Sequence, residues 1–198
     1  MTTIRSFIAI ELSDEVRTML ADLQSRLKAI VPPNTVRWAA PQNVHLTLHF
    51  LGNMAADDVS KVTHVLPVVT SSVSPFSLTL QGLGCFPNPR RPSIVWVGIS
   101  GEIETLVKLY HELGEMLKQS IGFEPEKRPY SPHLTIGRVK KGIPPRRLTQ
   151  LGQALEQEQA SVGQLTALKV TEISLIKSEL TPTGPIYTPL ARGLLKNV

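Results

Sequence analysis

The stretch NVHLTLHFLG, Asn43 to Gly52, decides the fold, because its core is written again in SPHLTIGR, Ser131 to Arg138. His133 minus His45 is an offset of 88, and the same offset aligns Phe7 with Val95, Ser13 with Gly101 and Pro41 with Pro129. Strand, helix start and pre-motif proline therefore recur together. With five histidines in the chain, about 0.05 HLT triplets are expected by chance, so a pair is a coincidence of about one in a thousand. A duplication of this period signals two pseudo-symmetric units. Residues 1–198 are expected to form a single two-lobed domain, with halves near 4–86 and 92–192 whose lobes face each other.

Around the two phrases the chain alternates strands and helices. SFIAIEL (Ser6 to Leu12) reads as a strand. Ser13 caps a following helix, Asp14 and Glu15 suit its positive end, and Val16, Leu20, Leu23, Leu27 and Ile30 share one face until Pro32 and Pro33 stop it. VHLTLHFL is an alternating strand, followed by a helix near Ala55 to Val69 and the strand FSLTLQGL. The second half repeats the order: SIVWVGI, a helix around Glu102 to Gln119, HLTIGRV, a helix near Arg146 to Gln159, then ALKVTEISLIK and PIYTPLA as strands.

Composition narrows the class without naming it. The apolar fraction of 41% and charged fraction of 19% suit a soluble fold with a sizeable core. The N-terminal apolar run is too short to span a membrane or act as a signal segment, so a cytoplasmic location and no membrane partner are expected. The single cysteine, Cys85, offers neither an internal disulfide nor a metal framework and reads as a buried thiol. A net charge of +5 leans toward an anionic partner. The basic residues cluster in NPRRPS, EKRPY, GRVKKG and PPRRL.

Strand geometry gives the repeated phrase a chemical meaning, since residues two apart share a face. His45, Thr47 and His49 are expected on one face, with Val44, Leu46, Leu48 and Phe50 on the other; His133 and Thr135 share a face backed by Leu134 and Ile136. Each lobe then offers one imidazole and one hydroxyl to a common cleft. That set suits metal-free phosphoryl transfer: a neutral imidazole takes a proton from the attacking water while a protonated one serves the leaving oxygen opposite. The threonine hydroxyls donate to non-bridging oxygens as charge builds. Spacing leaves open which histidine is the acid.

Other chemistries fit poorly. HLTLH lacks the glutamate of a zinc protease helix, and on a strand its histidines stand about 13 Å apart, too far to share a metal. GISGE is not a serine-hydrolase elbow, and GLGCFP has Pro87 where a dinucleotide loop needs glycine. His64 and His111 read as surface or packing residues on helices, and Phe86 with Trp96 as core.

Paired H-x-T-x motifs, together with RSFIAIEL, VRWAAPQNVHLTLHFLG, GCFPNPRRPSIVWVGI, KRPYSPHLTIGR and LIKSELTPTGPIY, resemble the two-histidine phosphoesterase superfamily. Within it the chain looks like the RNA 2′,3′-cyclic phosphodiesterases, also called 2′-5′ RNA ligases. The resemblance implies an α+β, bilobal, pseudo-symmetric fold, each lobe an antiparallel sheet with flanking helices around a central cleft. It implies opening of a terminal RNA 2′,3′-cyclic phosphate to a 2′-phosphomonoester without cofactor or metal; a monomer is expected, although the sequence itself does not disclose the oligomeric state. Carried over by motif, His45 is the proton donor, His133 the proton acceptor, and Thr47 and Thr135 hold the phosphate. Arg128 and Tyr130, on a loop before the second motif, and His49 are secondary substrate-binding candidates. Arg138 is another, although a regular strand turns it away from His133, so that a phosphate role requires a bulge or the strand end, the alternative being a different function such as a structural ion pair. Small cyclic nucleotides, ADP-ribose 1″,2″-cyclic phosphate, or RNA-end binding without catalysis are the alternative uses of the same apparatus.

Overall fold

Ser13 starts the first helix as its chemistry requires: its Oγ accepts from the Val16 N–H, Asp14 and Glu15 occupy the first turn, and Val16, Leu20, Leu23 and Leu27 are buried. Ile30 departs from the expected face. It is 46% exposed, because the chain leaves the helix there toward Pro32 instead of continuing over the core.

The computed structural model describes residues 2–182 and 184–196. Their elements run β1 (Thr3–Ile10), α1 (Asp14–Ile30), β2 (Val36–Trp38), β3 (Leu46–Ala55), α2 (Asp58–Thr70), β4 (Phe76–Phe86), β5 (Ile94–Gly101), α3 (Ile103–Ile121), β6 (His133–Val139), α4 (Pro145–Ser161), β7 (Gln164–Val170), β8 (Glu172–Thr181) and β9 (Gly184–Leu194). The fold is α+β. ALKVTEISLIK divides at Thr171 into β7 and β8, which pair with β4 and β1 respectively. Within the closing segment, Thr183 lies outside the described residues.

Among the described residues the strand pairings are all antiparallel, in the order β7-β4-β5-β6-β3-β1-β8-β9, with β2 on β6. Between β3 and β6 the only described pair is Leu46 with Leu134. The sheet thus splits into two lobes at this point. The first holds β1, β3, β8 and β9, covered by α2 and α3; the second holds β2 and β4 to β7, with α1 and α4 against β7 and β4. Each lobe therefore takes strands and helices from both sequence halves. No helix among the described residues is long and apolar enough to cross a membrane.

The helix-covered side of the sheet forms the main core, which includes Leu46 and Leu134, both fully buried. A smaller cluster of Phe7, Ala9 and Ile176, with Tyr187 against it, lies apart from that core. One close approach fixes α4 in the second lobe. A Cβ added to Gly152 would stand 1.9 Å from the carbonyl oxygen of Pro89, in the loop before β5. Alanine normally favours a helix interior over glycine by about 1 kcal/mol. Here Gly152→Ala is expected to destabilise by about 1–3 kcal/mol, since backbone must move to admit the methyl. A urea midpoint at or above that of the unmodified protein would contradict this packing.

Candidate active site

The Leu46–Leu134 pair determines how the two motifs meet. Both leucines point into the core, so the residues flanking them face the opposite side. Antiparallel register around that pair sets His45 across from Thr135 and Thr47 across from His133. The histidines are then diagonal neighbours, roughly 7–8 Å apart at the backbone in a regular pair. All four side chains are half-buried.

Both strands then break alternation at the same place. Ile8 pairs with His49 but Ala9 with Thr47, leaving Leu48 as an extra residue; Val95 pairs with Gly137 but Trp96 with Thr135, leaving Ile136 extra. These are matching β-bulges. The burial sequence is identical in the two copies: Leu46, Leu48 and His49 are buried around half-buried Thr47, with Phe50 exposed, as are Leu134, Ile136 and Gly137 around Thr135, with Arg138 exposed.

Three expectations change as a result. His49 does not share the cleft face: it is 3% exposed, stacks on Tyr110 with ring centroids 4.2 Å apart, and its Nε2–H donates to the Tyr110 carbonyl at 2.8 Å. Burial holds its pKa below the usual histidine value. Phe50, expected in the core, is 56% exposed beside Phe7. Arg138 turns to the cleft side, because the extra residue reverses the parity of the strand beyond Thr135. Its charge acts on both His45 and Tyr187.

Each bulge is held from outside its own strand pair. Gln24, buried on α1, donates from Nε2 to the Ile136 carbonyl at 2.9 Å and to the Ala39 carbonyl at 2.7 Å, and the Ala39 N–H also reaches the Ile136 carbonyl. In the other copy the Tyr130 hydroxyl donates to the Thr47 carbonyl at 3.0 Å. Tyr130 is therefore a strut between the motifs, stacked on Tyr110 at 4.1 Å and half-buried, where sequence suggested a substrate contact. Burial raises its phenol pKa, which keeps it a donor. Tyr130→Phe is expected to cost about 1–2 kcal/mol of stability, since it removes the hydrogen bond to the Thr47 carbonyl, and to lower kcat more than it raises KM. Unchanged kcat with normal stability would remove this role. Arg128 stays exposed on the loop, and no ion pair involves it among the described residues.

The two imidazoles are oriented alike. His45 Nδ1 lies 3.0 Å from the Asn43 carbonyl, and His133 Nδ1 lies 2.8 Å from the Ser131 carbonyl. A carbonyl only accepts, so Nδ1 carries the proton in each neutral ring and Nε2 is left for chemistry. Phe7 stacks on His45 at 4.5 Å and Tyr187 meets its edge at 5.3 Å. Around His133, Phe86 lies edge-on at 5.0 Å and Trp96 at 6.5 Å. Phe86 and Trp96 are half-buried flanks of the site rather than core. The aromatic shell desolvates His45 and lowers its pKa to about 4; Glu11 opposes that fall and Arg138 adds to it.

The second imidazole opposite the first, each backed by the same bulged strand, matches the repeated architecture of one family. The model of LigT-like phosphoesterases fits the chain twice, over residues 10–96 and 97–187. The chain belongs to that family. Along this LigT-like chain the first strands correspond at an offset of 87, since Ala9 faces Thr47 as Trp96 faces Thr135, while the motifs keep 88. Phe7 thus corresponds to Ile94 rather than Val95. The RNA 2′,3′-cyclic phosphodiesterase of Methanothermobacter thermautotrophicus is 36% identical over 188 residues, 94% of this chain and 96% of that protein. That of Archaeoglobus fulgidus is 33% identical over 94% of this chain and 97% of its own. Among solved structures, Escherichia coli LigT complexed with 3′-AMP superposes with a TM-score of 0.75 at 26% identity, covering 98% of this chain and 99% of that one. A Thermus thermophilus protein superposes with a TM-score of 0.76 at 25% identity, over 96% of this chain and 97% of its own.

Phe7, Tyr187 and Gln24 entered the site without having been singled out by motif. Phe7 was legible in part, since Phe7, Ala9 and Glu11 alternate with Ile8, Ile10 and Leu12. Gln24 showed as a polar residue within the apolar face of α1, and Gly137 as a glycine inside a strand, the usual mark of a bulge. Tyr187 had no local signal, because it reaches His45 through β9, far along the chain.

Proposed function

We propose that this protein hydrolyses the 2′,3′-cyclic phosphate at the end of an RNA to a 2′-phosphomonoester with a free 3′ hydroxyl. The diagonal pairing of two Nε2-presenting histidines across the Leu46–Leu134 bridge is the observation that carries this reading. His133 takes a proton from water as the water oxygen bonds to phosphorus. The bond from phosphorus to the 3′ oxygen breaks opposite, and His45 gives that oxygen its proton. Thr47 and Thr135 donate to the non-bridging oxygens, and Arg138, on the same face, balances their growing charge. With a 5′ hydroxyl in place of water, the same steps join two RNAs through a 2′-5′ linkage. The relatives named RNA 2′,3′-cyclic phosphodiesterase support the substrate class.

Desolvation keeps His45 neutral, since it lowers the pKa of the ring to about 4. The phosphodiester anion supplies the negative charge that draws a proton onto it. The working unit is proposed to be a single two-lobed domain, because the site takes one motif from each half and neither lobe is built from one half alone; a monomer in the cytoplasm is the assembly and location proposed with it. The test is a short RNA ending in 2′,3′-cyclic phosphate, incubated with the protein in EDTA. The expected product carries its phosphate on the 2′ position at an undiminished rate. A 3′-phosphate product contradicts the bond cleaved, and abolition of turnover by the chelator contradicts the two-histidine mechanism.

A further inference from the structure

We infer that the cleft face of the second lobe beyond Arg138 carries a track for the backbone phosphates of single-stranded RNA, upstream of the cyclic end. This rests on the phosphodiesterase reading above and specifies its substrate as a polynucleotide. The first observation is a like-charge pair: Arg37 on β2 stands directly across from Arg138 on β6, both exposed. Like charges at that position repel at about 5 Å and destabilise a bare sheet. Among the described residues neither forms an ion pair with a carboxylate. An anion lying over both relieves the repulsion.

The cations continue in the direction of the strands. The Lys140 N–H bonds to the Thr35 carbonyl at 2.8 Å, so the β2–β6 ladder extends past Val139, and the exposed Lys140 lies two residues, about 7 Å, beyond Arg138. On the other flank, Arg90 and Arg91 are exposed in a turn whose two N–H groups both donate to Asn88 Oδ1. That turn is held beside Lys140, because Ser93 closes the loop onto Phe86 and its carbonyl accepts from Val139. The packing of Gly152 against Pro89 anchors the same loop to α4. The segments 35–38, 88–101 and 133–143 contain no aspartate or glutamate. Arg147, by contrast, is engaged with the Pro33 carbonyl and is not part of the track. Unpaired cations on acid-free segments leading away from Arg138 suit a chain of phosphates, read by charge and not by base.

Arg37→Gln, Lys140→Gln and Arg90→Gln/Arg91→Gln test this with two substrates, a cyclic mononucleotide and a single-stranded oligoribonucleotide ending in 2′,3′-cyclic phosphate. The mononucleotide kcat/KM is expected to stay within about twofold of the unmodified protein. For the oligoribonucleotide, KM is expected to rise about fivefold per charge removed, and the slope of log affinity against log salt to fall by about 0.7 per charge. Binding of a fluorescent oligoribonucleotide with a 3′-terminal phosphate, followed by anisotropy, gives the same slope without turnover. Equal oligoribonucleotide affinity and salt slope in all three variants overturns the track. Failure of the unmodified protein to open either cyclic phosphate, with the salt-slope difference intact, overturns the phosphodiesterase reading and keeps the track.

Discussion

His45→Ala and His133→Ala are each expected to lower kcat/KM for RNA 2′,3′-cyclic phosphate by on the order of 10³-fold, with the folded state retained. Both rings sit on the half-buried cleft face, and neither holds the core, which is made by Leu46 and Leu134 behind them. The double variant is expected to lose little more than either single one, since acid and base act in one transition state. The pH profile follows from the same pair. In the proposed mechanism productive binding needs one proton on the pair, placed on His45, whose pKa desolvation lowers to about 4. Raising pH removes that proton and lowering pH adds a second one to the pair, so kcat/KM is expected to fall on both sides of a maximum. The two limbs belong to the coupled pair rather than to one residue each. Binding of an inert anion, such as a 2′-phosphomononucleotide, is expected to take up a proton near neutrality, which calorimetry in buffers of different ionisation enthalpy measures. Full activity in either alanine variant would refute the assignment.

Arg138→Ala carries the second large effect. The bulge at Ile136 brings this guanidinium onto the face of Thr135, where it acts on His45. Loss of a positive group that balances the growing phosphoryl charge is expected to lower kcat by about 10²–10³-fold. A second readout separates this from a structural role. Arg138 is one of the causes that lower the His45 pKa, so its removal is expected to move the His45 titration upward, as followed by NMR of the imidazole protons. Arg138→Lys is expected to keep the titration low while recovering part of the rate, because the charge persists without the bidentate fork. An alanine variant with normal kcat and an unmoved His45 titration would remove Arg138 from the mechanism.

How far the site was legible depended on whether the signal was local. His45, Thr47, His133 and Thr135 followed from strand period two, because each pair lies before the bulge, where alternation holds. His49, Phe50 and Arg138 lie after it, and every face assignment there reversed. A single extra residue changes parity for all that follows. The bulge in turn depends on donors far along the chain, Gln24 for Ile136 and Tyr130 for Thr47.

The repeated motifs, the alternating elements and the capped first helix are properties of short segments, and the order of residues alone determined them. The joining of the motifs at one leucine pair and the exchange of strands and helices between halves were decided only in the folded molecule. So was the turn of Arg138 toward the face of Thr135 and His45. Hydrogen bonds between groups more than eighty residues apart select these features, and periodicity within a strand has no means of encoding them.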